Sequence, residues 1–176
     1  MREIVELAAR IAELERRFSG MMRHGTVEKV DPGRHRIRLK LGTDVDGRPF
    51  LSPWIPYAQT AGALKIHAPP SIGQQFTLMA AAGDWQQAVA IPFTWSNQNP
   101  SPSENADENV LAFGDVRMTL RDGSLKIRAA GVTLELTGNG VSITGGAVTH
   151  DGRNIGSTHT HGGVVVGTQS TDVPVD

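Results

Sequence analysis

Val116-Arg117-Met118-Thr119-Leu120-Arg121-Asp122-Gly123-Ser124-Leu125-Lys126-Ile127-Arg128-Ala129-Ala130-Gly131-Val132-Thr133-Leu134-Glu135-Leu136-Thr137-Gly138-Asn139-Gly140-Val141-Ser142-Ile143-Thr144 is the stretch that decides the fold. Apolar residues recur at every second position in four runs: Val116/Met118/Leu120, Leu125/Ile127/Ala129, Val132/Leu134/Leu136 and Val141/Ile143. Side chains alternate sides along an extended backbone, so each run predicts a short strand with one apolar face. The runs start 9, 7 and 9 residues apart, with Asp122-Gly123, Gly131 and Asn139-Gly140 as turns. The other face carries Arg117, Thr119, Lys126, Arg128, Thr133, Glu135, Ser142 and Thr144. Such an array has too little core to stand alone. Three chains wound together would bury the apolar stripe along a common axis as a slender β-prism. The alternative is an up-and-down sheet packed on a neighbouring domain.

Downstream lies a Gly/Thr/Ser-rich segment containing His159-Thr160-His161-Gly162-Gly163. Residues two apart on an extended backbone project the same way, which directs both imidazoles to one place. Two imidazoles make a partial site; three chains meeting on a threefold axis would supply six, enough for an octahedral shell. The residue types leave the metal open among iron, nickel, zinc and cobalt. Two solvated histidines in a Gly-rich tail are the bland alternative. His150 precedes an Asp-Gly turn and lacks the two-residue spacing, so it is left out of the site; His24, His35 and His67 are scattered upstream.

Upstream of the repeat, residues 97–109 read as a polar, proline-bearing linker. Before it, residues 20–96 predict a small β-barrel of the OB type. Its strands are Gly25–Val30, Arg36–Leu41, Ser52–Tyr57, Gln74–Met79 and Gln86–Ile91, with Ile37, Leu39 and Leu41 facing inward. Residues 1–19 predict a helix stopped by Gly20. Ile4, Leu7, Ile11, Leu14 and Phe18 form a heptad seam, with Glu6–Arg10 and Glu13–Arg17 as i,i+4 pairs. A two-heptad seam is marginal in water and needs support from an assembly or from the following domain. Ile at a with Leu at d does not by itself choose between two strands and three.

Composition narrows the function classes. The 176 residues carry a formal net charge of −1, with no basic footprint for nucleic acid. Cysteine is absent, which excludes thiolate metal sites and a Cys nucleophile. Arg2, Glu3, Glu6, Arg10 and Glu13 near the start do not read as a signal peptide. Two histidines with Asp151 would suggest a catalytic metal centre only with a pocket and an open coordination position, and six imidazoles would leave none. Neither catalytic nor cofactor-binding residues are expected, and the chain reads as a non-enzyme.

The order of helix, barrel and β-repeat, followed by Asp151-Gly152-Arg153-Asn154-Ile155-Gly156-Ser157-Thr158-His159-Thr160-His161, resembles the baseplate assembly protein V family. These are the central membrane-piercing spikes of contractile-tailed bacteriophages. The resemblance implies a mainly β homotrimer: an N-terminal helix, an OB-like domain mounted on the tail hub and baseplate, and an intertwined β-helix over residues 110–147. An apical tip over residues 148–176 would complete it, with one iron ion per trimer held by His159 and His161 of each chain. It also implies location in the virion baseplate, with the tip meeting the host outer membrane and periplasm on infection. The short repeat implies a stubby needle. A receptor-binding fibre tip, and the spike of a phage-derived bacteriocin or secretion particle, are the alternatives.

Overall fold

The structure, a computed structural model, describes residues 1–159 and Gly167. Its chain is mainly β with one N-terminal helix, and it divides into two units, residues 1–101 and 102–176.

Helix α1 spans Arg2–Met21. It passes through Gly20, contrary to the expected stop there, and ends where Met22 enters a sheet opposite Met79. Sheet pairing sets this boundary, because the backbone of Met22 is already extended. The end of the helix is fixed to the barrel. Trp85 Nε1–H donates to Gly20 O at 2.8 Å, and Ala80 N–H donates to Met21 O at 2.8 Å. Gly83 lies so close that a Cβ there would sit 2.6 Å from Arg17 O; its φ of +76° also demands glycine.

The barrel contains β1 (Met22–Asp31), β2 (Arg36–Thr43), β3 (Pro49–Leu51), β4 (Ile55–Pro56), β5 (Gln75–Met79) and β6 (Val89–Pro92). Its sheet runs β3-β2-β1-β5-β6, with β4 also on β2. A bridge from Tyr57 to Ala90 joins the β4 segment to β6 and closes the ring. The expected strand Ser52–Tyr57 is instead broken between β3 and β4, because Pro53 offers no backbone donor. Likewise Trp85–Gln87 forms a turn of 3-10 helix, and β6 starts only at Val89. Asp84 explains this turn: its carboxylate accepts from Gln86 N–H and from Gln87 Nε2.

Val27, Ile37, Leu39, Ile55, Tyr57, Phe76 and Leu78 form the barrel core with three alanines. Ile37 and Leu39 point inward as expected, and Leu41 packs on the edge of the cluster. Ser52 and Thr77 are buried polar residues of this unit, and Ser52 is completely enclosed. The Ser52 hydroxyl accepts from Leu39 N–H and donates to Pro53 O, which offsets the cost of burying it.

The second unit holds the repeat: β7 (Asn109–Phe113), β8 (Val116–Arg121), β9 (Ser124–Ala129), β10 (Val132–Thr137) and β11 (Gly140–Thr144). Each strand pairs antiparallel with the next, giving the order β11-β10-β9-β8-β7. The four expected strands are present, and β7 precedes them as a fifth. At the β9–β10 turn the positive φ falls on Ala130 (+50°) rather than on Gly131. A small hairpin follows, β12 (Thr149–His150) and β13 (Arg153–Asn154).

The expected linker is held at both ends. Ser96 Oγ–H donates to Gly73 O and Asn99 Nδ2 donates to Ile72 O, so its first part lies on the barrel. Its last part lies on the β7–β11 sheet through Pro102, Ser103 and Glu108.

Candidate functional site

The register of the β7–β11 sheet converts an alternating sequence into a continuous apolar face. Leu111, Met118, Ile127, Leu134 and Ile143 stand opposite one another in a row across all five strands. Leu120, Leu125, Leu136 and Val141 form a second row; Phe113, Val116, Ala129 and Val132 form a third. Cross-strand neighbours of this kind are the unit of sheet stabilisation, but a sheet also needs a cover on its apolar side. Among the described residues that side is open. Phe113 is 88% exposed and Val141 66%, and Leu111, Val116, Leu120, Val132, Leu136 and Ile143 are exposed as well. A contiguous apolar surface on this scale marks an interaction site.

The opposite face is polar and internally paired. Glu108, its side chain only 5% exposed, accepts from Ser103 Oγ at 2.6 Å and Arg117 Nη2 at 3.1 Å. It also accepts from Arg121 through Nε at 2.8 Å and Nη2 at 2.5 Å. The Ser103 hydrogen bond, followed by the Arg121 contacts, holds the Glu108 carboxyl below its ordinary range. Arg117 Nη1 also donates to Pro102 O at 2.7 Å, and Lys126 pairs with Glu135 at 3.1 Å. This clamp fastens the segment before β7 across the sheet. Glu108 had not been singled out in the sequence. The available signal was the carboxylate pair Asp107-Glu108 just before β7, with Arg117 and Arg121 on one face of the adjoining strand.

Further along the chain, the Asp-Gly-Arg-Asn-Ile-Gly-Ser-Thr-His run is a hydrogen-bonded unit. Asp151 (φ +46°) and Gly152 (φ +77°) make the two-residue turn between His150 and Arg153. Ile155 N–H donates to Val148 O, Gly156 N–H donates to Asn154 Oδ1, and Asn154 Nδ2 donates to Thr158 Oγ1. These bonds form the turn that presents His159, whose own N–H donates to Gly156 O at 3.1 Å. His159 Nδ1 lies 2.6 Å from the same carbonyl. A carbonyl only accepts, so Nδ1 carries the proton and the ring's lone pair belongs to Nε2. Metal-ligating histidines are held in this way, one nitrogen donating to a backbone carbonyl and the other facing the ion. His159 therefore fits an imidazole ligand through Nε2. His161 lies outside the described residues. Among the described residues, no three His, Asp or Glu side chains gather into a metal site.

Two comparisons bear on what these parts belong to. Residues 23–95 match the family described as the type VI secretion system/phage-baseplate injector OB domain, which covers the barrel from β1 through β6. Over 108 residues the chain is 31% identical to the spike protein of Escherichia phage P2, a match spanning 61% of this chain and 48% of that protein. The barrel matches a baseplate injector OB domain, and the two findings support the resemblance to the baseplate assembly protein V family. The chain thus spans about half the length of the curated relative that it matches.

Proposed function

We propose that the chain is the structural spike of a phage-type contractile tail: a homotrimer whose barrel docks on the baseplate hub and whose sheet and tip project toward the host outer membrane. One observation carries the reading, an injector OB domain followed in the same chain by a five-stranded sheet with an uncovered apolar face. Three copies burying those faces on one axis would satisfy each sheet at once. Bending the resulting needle would break ladder hydrogen bonds and expose apolar surface together, which is the physical basis of stiffness. Sheath contraction would drive this needle through the membrane. The role is mechanical, with no catalytic step.

At the apex little apolar surface remains to be buried. An iron ion held by His159 and His161 of three chains would tie the ends together there. Gly156 O and the Asn154 turn orient His159 for this task. The spike of a phage-derived bacteriocin or secretion particle would use the same parts, and the matched family includes secretion-system domains.

Two experiments test the proposal. Immunogold electron microscopy of tail particles carrying this chain should place it at the distal end of the baseplate; label along the tail tube would contradict the role. Elemental analysis of protein produced with iron should give one iron per three chains. Replacing both His159 and His161 by Ala should abolish the metal while the barrel stays folded. Stoichiometric iron in that variant would refute the ligand assignment.

A further inference from the structure

The seam of α1 is unburied along its whole length: Ile4, Leu7, Ile11, Leu14 and Phe18 are all exposed, and Ile11, the least so, is still 48% exposed. Among the described residues, the helix is fastened to the barrel at its C-terminal end, through Gly20, Met21 and the close approach of Arg17 to Gly83. The fastening fixes the direction in which the helix leaves the domain without covering its apolar side.

The charges around the seam say what covers it. With Ile4, Ile11 and Phe18 at a and Leu7 and Leu14 at d, Arg10 falls at g and Glu15 at e. In a parallel, in-register coiled coil a g residue meets the e residue five positions later on the neighbouring helix, which joins Arg10 to Glu15. An antiparallel pairing would instead set g against g and e against e, which does not bring Arg10 to Glu15. The ion pairs within the helix leave this pair for use between chains. Glu13 accepts from Arg16 at 2.8 Å and from Arg17 at 2.6 Å. Glu6 pairs with Arg2 at 3.3 Å rather than with Arg10 as the spacing had suggested. Arg2 and Arg10 are both four residues from Glu6, so one carboxylate faces two candidates. Among the described residues, neither Arg10 nor Glu15 makes an ion pair within the chain.

We infer that α1 is the strand of a parallel, in-register coiled coil formed with the other copies of this chain, locked in orientation by Arg10–Glu15 pairs between neighbours. The inference rests on the trimer proposed above and adds a second, helical interface to it, upstream of the barrel. Three helices leaving three barrels in one direction would assemble a seam too short to be stable alone.

A charge-reversal cycle on the full-length chain tests it, with trimer dissociation followed by sedimentation equilibrium. Arg10→Glu and Glu15→Arg each turn all three interchain pairs into like-charge contacts. Each should weaken the trimer by about tenfold at low salt, and the double reversal should restore it to within about threefold. A trimer indifferent to the single reversals, or weakened further by the double one, overturns the coiled coil while leaving the trimeric spike intact; the seam would then belong to a hub protein. A wild-type chain that stays monomeric overturns both.

Discussion

Val141→Ala is a sharp probe of the interface proposed for the β7–β11 sheet. Val141 lies in the second apolar row, opposite Leu136, and is 66% exposed in a single chain. Trimming valine to alanine removes two methyl groups, each worth about 0.8 kcal/mol when fully buried. Two-thirds of that remains to be won on association, which is about 1 kcal/mol per chain and about 3 kcal/mol per trimer. The trimer dissociation constant should therefore rise by about two orders of magnitude. Ser142→Ala, the next residue and on the opposite face, is the matched control and should shift it by less than about 0.5 kcal/mol. Sedimentation equilibrium over a dilution series reads both variants. Equal behaviour of the two would refute the claim that chains meet through the apolar face.

Three further outcomes are expected. Gly83→Ala places a side chain against the Arg17 carbonyl at a positive φ, costing roughly 1–2 kcal/mol for the backbone alone; Trp85 fluorescence should shift to the red as α1 loosens, and an unchanged spectrum would contradict the docking. Phe76→Ala empties the barrel centre and should cost about 3–5 kcal/mol of barrel stability in urea; a smaller loss than for a surface residue would contradict the core assignment. Glu108→Gln should lower hydrogen-exchange protection in β7 and β8. Because the folded carboxyl titrates below its ordinary value, the clamp is fully present above that value and is lost as pH falls through the lowered one. The wild-type protein should thus lose stability on acidification in a window where Glu108→Gln does not, and parallel pH profiles would contradict the clamp.

Periodicity made much of the fold legible. The alternation of Ile37 and Leu39 gave their inward positions, and the apolar runs from Val116 to Ile143 gave four strands and their shared face. Boundaries were harder, because they depend on partners distant in sequence. Met22 leaves the helix to pair with Met79, and Gln86-Gln87 curls because Asp84 caps it. Glu108 was hidden for a similar reason: its burial comes from Arg117 and Arg121, which reach it only once β7 and β8 are paired. Near residue 160, the sequence showed two ligand-type side chains, His159 and His161, whereas the carbonyl that accepts from His159 Nδ1 came from the turn at Gly156. The charges that flank the α1 seam were present in the sequence but undirected until the ion pairs of Glu6 and Glu13 were known.

Native mass spectrometry of the untagged protein tests the central claim most directly, since one spectrum reports chains and metal together. The expected mass is three times 18.8 kDa, about 56 kDa, with one iron ion bound. A spectrum dominated by the 18.8 kDa chain at micromolar concentration, without metal, would contradict it.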